Sequence, residues 1–198
     1  MSDRSAFPIV DARSSGASED GCFRVIFVCT GNICRSAFAA AYTRKILSTS
    51  TSISVESAGI MAASGHSMDV HMRLQARVHG ADGEGHLAHQ LTGRDLRGAG
   101  LVLGFGREHL GWVAECHPEY LGRVLLLGQA ARALRQQPAR ALSRWRTLAD
   151  DVRAIAPEPS GTDEIEDPYG RGDAEAARVA ERICLDVDVL CARLGEVA

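Results

Sequence analysis

Short apolar runs alternate with longer stretches of helical spacing along this chain. Four runs of aliphatic and β-branched residues predict short strands buried on both faces, at 25–28, 53–57, 101–103 and 124–127. Apolar residues that recur every three or four positions predict helices at 36–46, 68–79, 107–115, 129–155 with an interruption at Pro138, and 174–194 with Asp173 as N-cap. This alternation indicates an α/β fold with right-handed crossovers. We therefore predict a three-layer sandwich, in which a four-stranded parallel sheet carries helices on both faces.

Domain organisation follows from the same pattern. The chain has 198 residues, which is enough for one full hydrophobic core, and we predict a single domain over 22–198. Residues 1–21 are rich in Ser, Gly, Ala and charge and lack either apolar period, so we expect a flexible extension there. The linker-like stretch 157–161 leads into Asp167-Pro168-Tyr169, which favours a surface loop of the same domain.

Composition excludes several classes of protein. Hydrophobic residues make up 45% of the chain and charged residues 24%, which is ordinary for a globular domain. A net charge of -3 gives no global basic field for nucleic acid or anionic membrane, and no apolar stretch approaches the ~18 residues of a membrane span. The first twenty residues lack the apolar core of a secretory signal, so we expect the six cysteines to be free thiols in a reducing cytoplasm.

The loop at 29–36 has the sequence Cys-Thr-Gly-Asn-Ile-Cys-Arg-Ser and joins the first predicted strand to the first predicted helix. In a parallel sheet, ligands bind outside the carboxyl ends of the strands, where such loops lie. Cys29 faces the positive end of the helix and a ring of backbone N–H groups, which favours the thiolate. The same N–H groups form a cradle for a tetrahedral oxyanion such as phosphate.

The side chains of this loop suit the same chemistry. Gly31 and Asn32 tolerate the positive φ that turns N–H groups inward, and Arg35 offers a planar fork that grips two phosphate oxygens. The Ser36 hydroxyl can stabilise the thiolate. We therefore predict Cys29 as a nucleophile, with a phosphate-binding set of Thr30, Gly31, Asn32, Ile33, Cys34 and Ser36.

This loop resembles the signature of the low-molecular-weight protein tyrosine phosphatases, including their bacterial members. Ser57-Ala58-Gly59 resembles the segment that follows the family's second strand, and 86–92 resembles its His-x-Ala-Arg-Gln segment. Asp167-Pro168-Tyr169 resembles the family's general-acid loop. The resemblance runs from about residue 24 to the C-terminus, although 129–162 is longer and more divergent than usual. It implies the phosphotyrosine phosphatase I type of fold.

The resemblance also implies an activity, that of a cysteine-dependent protein tyrosine phosphatase, which is a phosphoric monoester hydrolase. Cys29 would attack phosphorus and form a phosphocysteine intermediate, while Arg35 and the loop amides would bind the equatorial oxygens. Asp167 would protonate the leaving oxygen and then deprotonate the attacking water. The implied partner is a phosphotyrosine protein or an aryl phosphate, and the sequence indicates no oligomeric state.

Supporting roles come from the resemblance as well. It implies that Ser57 and His86 hydrogen-bond Asn32 and hold the loop, and that Tyr169 forms a wall beside the substrate ring.

Several positions depart from the family pattern. Ala37 replaces the usual Pro, His89 replaces the usual Arg, and Gly104-Phe105-Gly106 replaces a Val-Met segment after the third strand. No aromatic residue follows Ser57-Ala58-Gly59, so Tyr169 is left as the aromatic wall. Substrate preference among phosphotyrosine, other phosphoesters and arsenate therefore stays open.

Two other functions stay open at this stage. Relatives of this fold attack arsenate with the same loop thiol, so arsenate reduction is the first alternative. Such enzymes often carry two further cysteines before the acid loop, whereas this chain has only Cys116 between Cys34 and Asp167. The second alternative is a weakly active module that binds phosphate or phosphopeptides, although such a module has no need of the acid Asp167.

Two last expectations concern metal and oxidation. We expect no metal and no other cofactor, because Arg35 and the loop amides supply positive charge and the seven His show no ligand spacing. Cys34 is the predicted redox partner of Cys29, since five residues of separation in a curled loop can bring the two sulfurs together after oxidation.

Overall fold

The computed structural model describes residues 22–50, 52–136 and 145–193, and in these ranges four strands form one parallel sheet. The strands are β1 (Phe23–Cys29), β2 (Ile53–Gly59), β3 (Leu101–Gly104) and β4 (Val124–Leu126). Their order in the sheet is β2-β1-β3-β4, and every neighbouring pair is parallel. The predicted sheet is confirmed, although β4 ends one residue earlier because Leu127 already begins the next helix.

Seven α-helices accompany the sheet within the described ranges. They are α1 (Arg35–Ile46), α2 (Val70–Val78), α3 (Gly93–Gly98), α4 (Arg107–Cys116), α5 (Leu127–Gln136), α6 (Leu148–Ile155) and α7 (Asp173–Arg193). Two short 3₁₀ turns, Pro118–Arg123 and Gly161–Asp163, complete the regular structure. Asp173, predicted as an N-cap, is instead the first residue of α7, and its carboxylate contacts His71 Nδ1 at 2.6 Å.

Alternate residues of β1 face opposite sides of the sheet, as the period of a strand requires. Val25 and Phe27 belong to the core beneath α1, α5 and α7, while Ile26 and Val28 belong to the core beneath α3 and α4. All four side chains are buried, and full burial of such a side chain stabilises the fold by about 1.5–3 kcal/mol. The sheet is therefore covered on both faces, which confirms the predicted three layers.

Helix α1 is buried on several sides because its first turns are built from small residues. Ala37, Ala39, Ala40 and Ala41 are each at most 3% exposed, and the helix packs against β1, β2, α2 and α7. Small side chains let the helix axis approach both the sheet and its neighbouring helices. The N-terminus of α1 is therefore held firmly at the carboxyl end of β1.

The segment before Asp167 is anchored to the body of the protein at two points. Asp163 is 1% exposed and accepts two hydrogen bonds from Arg132 of α5, at 2.9 and 2.8 Å. Gly128 leaves the room for this approach, since a Cβ there would lie 2.4 Å from a backbone oxygen of Asp163. Ile165 N then donates to Phe105 O at 2.8 Å, just beyond β3. These contacts carry the chain to the same edge of the sheet as the loop after β1.

Some sequence expectations fall outside the described residues, namely the extension at 1–21, the interruption at Pro138 and the helix end at Leu194. Across the parts of the chain that the structure describes, no helix is long and apolar enough to cross a membrane.

Candidate active site

The carbonyl groups of the loop after β1 point away from the loop centre. Each of them accepts a hydrogen bond from outside the loop: Cys29 O from Ile60 N at 3.0 Å, Thr30 O from Met61 N at 2.9 Å, Gly31 O from Ala63 N at 3.0 Å, Asn32 O from His86 Nε2 at 2.7 Å and Ile33 O from Asp69 N at 2.9 Å. In a planar trans peptide, the N–H points opposite to the C=O. The amides of residues 30–34 are therefore turned toward the loop centre, where they form an anion cradle.

Asn32 fixes the turn of this cradle. Its φ is 56°. Gly31 was also expected to have a positive φ, but its φ is not positive. Asn32 is fully buried, donates from Nδ2 to Ser36 Oγ at 2.9 Å and accepts at Oδ1 from His89 N at 2.8 Å. The left-handed conformation is unusual for a residue with a side chain, and these two hydrogen bonds hold it in place.

Gly59 at the end of β2 permits the close contact between the two loops. A Cβ at this position would lie 2.5 Å from Thr30 O and 3.0 Å from Asn32 N. Glycine is therefore required here by the space available, because its own φ is not in the left-handed region.

Cys29 lies at the base of the cradle and is 2% exposed. Its Sγ is 2.9 Å from Ser36 Oγ and accepts from Asn32 N at 3.3 Å. Since Ser36 Oγ already accepts from Asn32 Nδ2, its own hydrogen is available for the sulfur or for Ala58 O at 3.4 Å. The Asn32 amide thus donates to Cys29 Sγ, and the Ser36 hydroxyl is a second donor within reach of it.

Arg35 begins α1 and is 3% exposed. It donates from Nη1 to Ile165 O at 3.1 Å and from Nη2 to Asp167 Oδ2 at 2.6 Å, so the acid segment and the loop are joined through this guanidinium. Nη2 also lies 3.5 Å from Thr30 Oγ1. Arg35 Nε is buried and has no hydrogen-bond partner among the described residues. A buried donor without a partner is costly, and an oxyanion in the cradle would satisfy it.

Asp167 and Tyr169 lie at the open side of the site. Asp167 accepts at Oδ1 from Tyr169 N at 3.1 Å, and its side chain is 43% exposed. Tyr169 is 64% exposed, so its ring has a free face. The cleft between the loop and this segment has a volume of about 360 Å³ and is lined by Thr30, Arg35, Phe105, Gly106, Glu108, Glu164, Ile165, Glu166 and Asp167.

Of the two residues expected to hold Asn32, the structure places only His86 against it. Burial lowers the pKa of His86, so its neutral ring donates from Nε2 to Asn32 O. Ser57 makes no hydrogen bond to Asn32 in the described structure, which corrects that expectation. The reason is register: Ser57 pairs with Phe27, two residues before the loop, whereas Gly59 pairs with Cys29.

His89 takes the place expected for Ser57. Its backbone amide donates to Asn32 Oδ1, while its side chain contacts Asp95 at 3.0 Å. The contact with the loop is therefore made by the backbone of residue 89 and not by its side chain.

Glu108 and His109, which follow β3, were not predicted from the sequence as site residues. His109 is 1% exposed, and its Nδ1 accepts from Phe105 N at 3.3 Å and Gly106 N at 3.0 Å. Burial lowers the pKa of His109 to about 4, so the ring is neutral and its Nε2–H faces Thr30 Oγ1 at 3.4 Å. Their place at the carboxyl end of a parallel strand was the signal that could have found them.

The remaining cysteines differ in their surroundings. Cys34 is 3% exposed, and burial raises its pKa. Cys116 is exposed at the end of α4, whereas Cys184 and Cys191 lie along α7 and pack on the hydrophobic core. Within the described ranges, no group of three or more His, Cys, Asp or Glu side chains could hold a metal ion.

Comparison with known proteins places this loop in a defined family. The family model for the low molecular weight phosphotyrosine protein phosphatases matches residues 24–137, which is more than half of the chain. The chain therefore belongs to this family of hydrolases, and the resemblance inferred from the loop is confirmed.

Individual relatives agree with this assignment. The low molecular weight protein-tyrosine-phosphatase Etp of Escherichia coli K12 is 36% identical over 105 residues, which cover 53% of this chain and 69% of Etp. The probable low molecular weight protein-tyrosine-phosphatase EpsP of Ralstonia solanacearum is 39% identical over 105 residues, which cover 53% of this chain and 70% of EpsP. The solved low molecular weight protein tyrosine phosphatase of T. tengcongensis superposes with a TM-score of 0.65 at 26% identity, covering 85% of this chain and 97% of that one.

Proposed function

We propose that this protein hydrolyses phosphotyrosine and other aryl phosphate monoesters through a phosphocysteine at Cys29. The observation that carries the proposal is the cradle itself, in which outward carbonyls leave five inward amides around a buried sulfur. Arg35 closes the cradle with one unpartnered donor, and Asp167 lies across it. Arg35 and Asp167 thus line the same cleft, and Cys29 is buried at the base of the cradle.

The first step is transfer of the phosphoryl group to sulfur. Phosphate binds the inward amides and Arg35, which places phosphorus in line with Cys29 Sγ. The S–P bond forms as the P–O bond breaks, and protonated Asp167 gives its proton to the departing phenolic oxygen. Because the incoming phosphate takes donors of Arg35, it competes with the ion pair that holds Asp167 Oδ2 and frees this carboxyl to turn toward the leaving group.

The second step regenerates the enzyme. Asp167, now ionised, accepts a proton from water as the water oxygen attacks phosphorus. The S–P bond breaks, its electron pair returns to Cys29, and inorganic phosphate leaves. The Ser36 hydroxyl and the Asn32 amide then stabilise the returning thiolate. No step requires a metal ion, since the positive charge comes from Arg35 and the amides.

The substrate class rests on Tyr169 and on the burial of Cys29. An exposed ring beside the acid can stack on an aryl group, and an aryl phosphate is long enough to reach a sulfur that is 2% exposed. The relatives Etp and EpsP carry protein-tyrosine-phosphatase in their names, which supports phosphotyrosine as the substrate. A phosphoprotein partner follows from this assignment.

The chemistry of Cys29 also bears on location. A nucleophilic thiol five positions before a second buried cysteine, Cys34, must stay reduced to act, which favours a reducing compartment such as the cytoplasm. The relatives named above are bacterial, and we propose a bacterial cytoplasmic enzyme on these grounds.

Arsenate reduction is less well supported than hydrolysis. Such a reaction needs further thiols that relay a disulfide from Cys29. Burial raises the pKa of Cys184 to about 11 and of Cys191 to about 12, and both pack on the core along α7. Thiols in such surroundings are poor nucleophiles.

The test compares the wild-type protein with Cys29→Ser, using Cys116→Ser as the matched control outside the site. We expect wild type and the control to hydrolyse an aryl phosphate in excess chelator, and Cys29→Ser to be inactive. In a rapid quench with Asp167→Ala and a good leaving group, mass spectrometry should detect phosphate on Cys29. Full activity in Cys29→Ser, or a phosphoenzyme on another residue, would contradict the proposal.

A further inference from the structure

Glu108 lies beside the phosphate cradle, although the proposed mechanism does not use it. It belongs to the first turn of α4, and its side chain is 50% exposed. Its Oε1 is 3.8 Å from Arg35 Nη1 and 3.4 Å from His109 Nε2. A carboxylate thus faces the cation that is to receive the phosphate.

Gly106 makes this position of Glu108 possible. A Cβ at 106 would overlap both carboxylate oxygens of Glu108, so the carboxylate occupies the space that a side chain at 106 would fill. The backbone at Gly106 is extended, with φ -153° and ψ 163°, which any residue can adopt. Glycine is therefore needed here for the room it leaves to Glu108, and not for its own conformation.

Glu108 differs from the other acidic residues of the cleft in its partners. Glu164 is 3.3 Å from Arg107, and Glu166 pairs with Arg171 at 3.2 Å and with Arg178 at 2.9 Å. These pairs keep their counter-ions when a phosphate binds.

The partners that face Glu108 are Arg35 and His109. Burial lowers the pKa of His109 to about 4, so its ring is neutral and brings no positive charge to Glu108. Arg35 also pairs with Asp167, whose Oδ2 is 2.6 Å from Arg35 Nη2. When a phosphate dianion takes Arg35, Glu108 is left as an uncompensated negative charge next to it, and like charges that close repel.

From this geometry we propose that Glu108 is a specificity-determining residue, which weakens the binding of inorganic phosphate and favours phosphotyrosine flanked by lysine or arginine. A cation from the substrate, placed on the α4 side of the cleft, would replace Arg35 as the counter-ion of Glu108. An acidic flank would add a second repulsion. The inference rests on the proposed function for its substrate, but its effect on phosphate binding requires no turnover.

The first test measures inorganic phosphate binding by calorimetry at low ionic strength. We expect Glu108→Gln to bind phosphate about twofold to fivefold more tightly than wild type, as for a partly exposed charge pair. Glu119→Gln is the matched control, because it removes the same charge from an exposed residue of the following 3₁₀ turn, outside the cleft. Equal affinities for wild type and Glu108→Gln, or an equal gain in Glu119→Gln, would overturn the proposal.

A second variant, at Gly106, moves the Glu108 carboxylate without removing its charge. Gly106→Ala should displace the Glu108 carboxylate from Arg35 and tighten phosphate binding in the same direction. In the double variant Gly106→Ala/Glu108→Gln, the two gains should not add, because both remove one interaction. If the two gains in phosphate affinity add fully, Gly106→Ala acts through some change other than the displacement of Glu108, and this result would count against the role of Glu108.

The third test concerns the substrate. For two phosphotyrosine peptides with lysine or glutamate flanks, wild type should show a higher kcat/KM for the lysine peptide. Glu108→Gln should reduce this ratio about twofold to fivefold, and added salt should reduce it in wild type. An unchanged ratio in Glu108→Gln would overturn the assignment of flank preference. If wild type binds phosphate but hydrolyses neither peptide, the proposed function fails while the calorimetry still decides the effect of Glu108.

Discussion

Arg35 and Asp167, 132 positions apart in the chain, form an ion pair of 2.6 Å across the mouth of the cradle. The residue that would bind phosphate and the residue that would donate the proton thus neutralise each other when the site is free. Arg35 is buried and Asp167 is not, so Asp167 is the partner that can move. Phosphate binding and release of the acid are therefore coupled through one guanidinium.

Replacement of Asp167 by Asn should affect leaving groups unequally. An acid matters in proportion to the need of the leaving oxygen for a proton, so turnover of phenyl phosphate should fall by about a hundredfold to ten-thousandfold. Turnover of an aryl phosphate whose leaving phenol is very acidic should fall far less, because that leaving oxygen needs no proton. The measurement is kcat across a series of aryl phosphates, and the matched control is the neighbouring Glu166→Gln. An equal loss for every leaving group would argue against an acid role.

Gly59 and Gly111 provide a contrast between a glycine that is required and one that is not. A Cβ at 59 would lie 2.5 Å from Thr30 O, so Gly59→Ala should cost about 1–3 kcal/mol in the free energy of unfolding and lower kcat/KM. Gly111, in the middle of α4, has nothing within 4 Å of an added Cβ, so Gly111→Ala should stabilise by about 0.5–1 kcal/mol. Urea unfolding of both variants is the measurement. A Gly59→Ala protein with wild-type stability and activity would show that the loop tolerates the displacement.

The parts of the site that could be predicted from the sequence are those that act within one loop. Cys29, Asn32 and Arg35 carry their chemistry in residue type and local spacing, since a strand, a turn and a helix start define the cradle. The sheet could be predicted for a similar reason, because buried parallel strands are short continuous apolar runs. Both features depend on residues that are near in sequence.

Other parts depend on which strands are neighbours, which local spacing does not encode. Glu108 reaches Arg35 only because β3 lies beside β1 in the sheet. Ser57 was misplaced because the register of β2 sets it opposite Phe27, two residues before the loop, and the bond to Asn32 comes from His89 N instead. Helix α3 has six residues, which is too short to show a helical period. The feature of the sequence that indicates this helix is the capping box of Thr92 and Asp95.

Oxidation should link Cys29 to Cys34, and the yield of the disulfide should depend on pH. The resolving group in such a reaction is a thiolate, and burial raises the pKa of Cys34, so its thiolate fraction is small at neutral pH and rises tenfold per pH unit. Peroxide inactivation should therefore become more reversible by dithiol as pH rises from 6 to about 9. Phosphate should protect, because it occupies the cradle above Cys29.

The matched variant for this reaction is Cys34→Ser. Without a resolving thiol, the same peroxide dose should carry Cys29 to sulfinic or sulfonic acid, and dithiol should no longer restore activity. Cys116→Ser should behave as wild type. Peptide mapping that finds Cys29 paired with another cysteine, or full recovery in Cys34→Ser, would refute the pairing.

The last prediction concerns stability at acid pH and rests on His109. Its pKa in the folded protein is about 4, against an ordinary value of 6.5, and burial is the largest cause. Between these two values the unfolded chain binds a proton that the folded protein does not, so the free energy of unfolding rises with pH there and falls as pH drops from 6.5 to 4. The loss should approach about 3 kcal/mol, at 1.36 kcal/mol per pKa unit.

Urea unfolding at pH 7 and pH 4.5 measures this loss. His109→Gln should be less stable than wild type at pH 7, because the glutamine must satisfy the amides of Phe105 and Gly106 with a different shape. Its stability should nevertheless change less between the two pH values, and this difference separates the titration of His109 from simple damage to the fold. His66→Gln, at an exposed position, controls for the loss of a histidine. If His109→Gln and wild type lose stability in parallel as the pH falls, His109 is not the group that titrates.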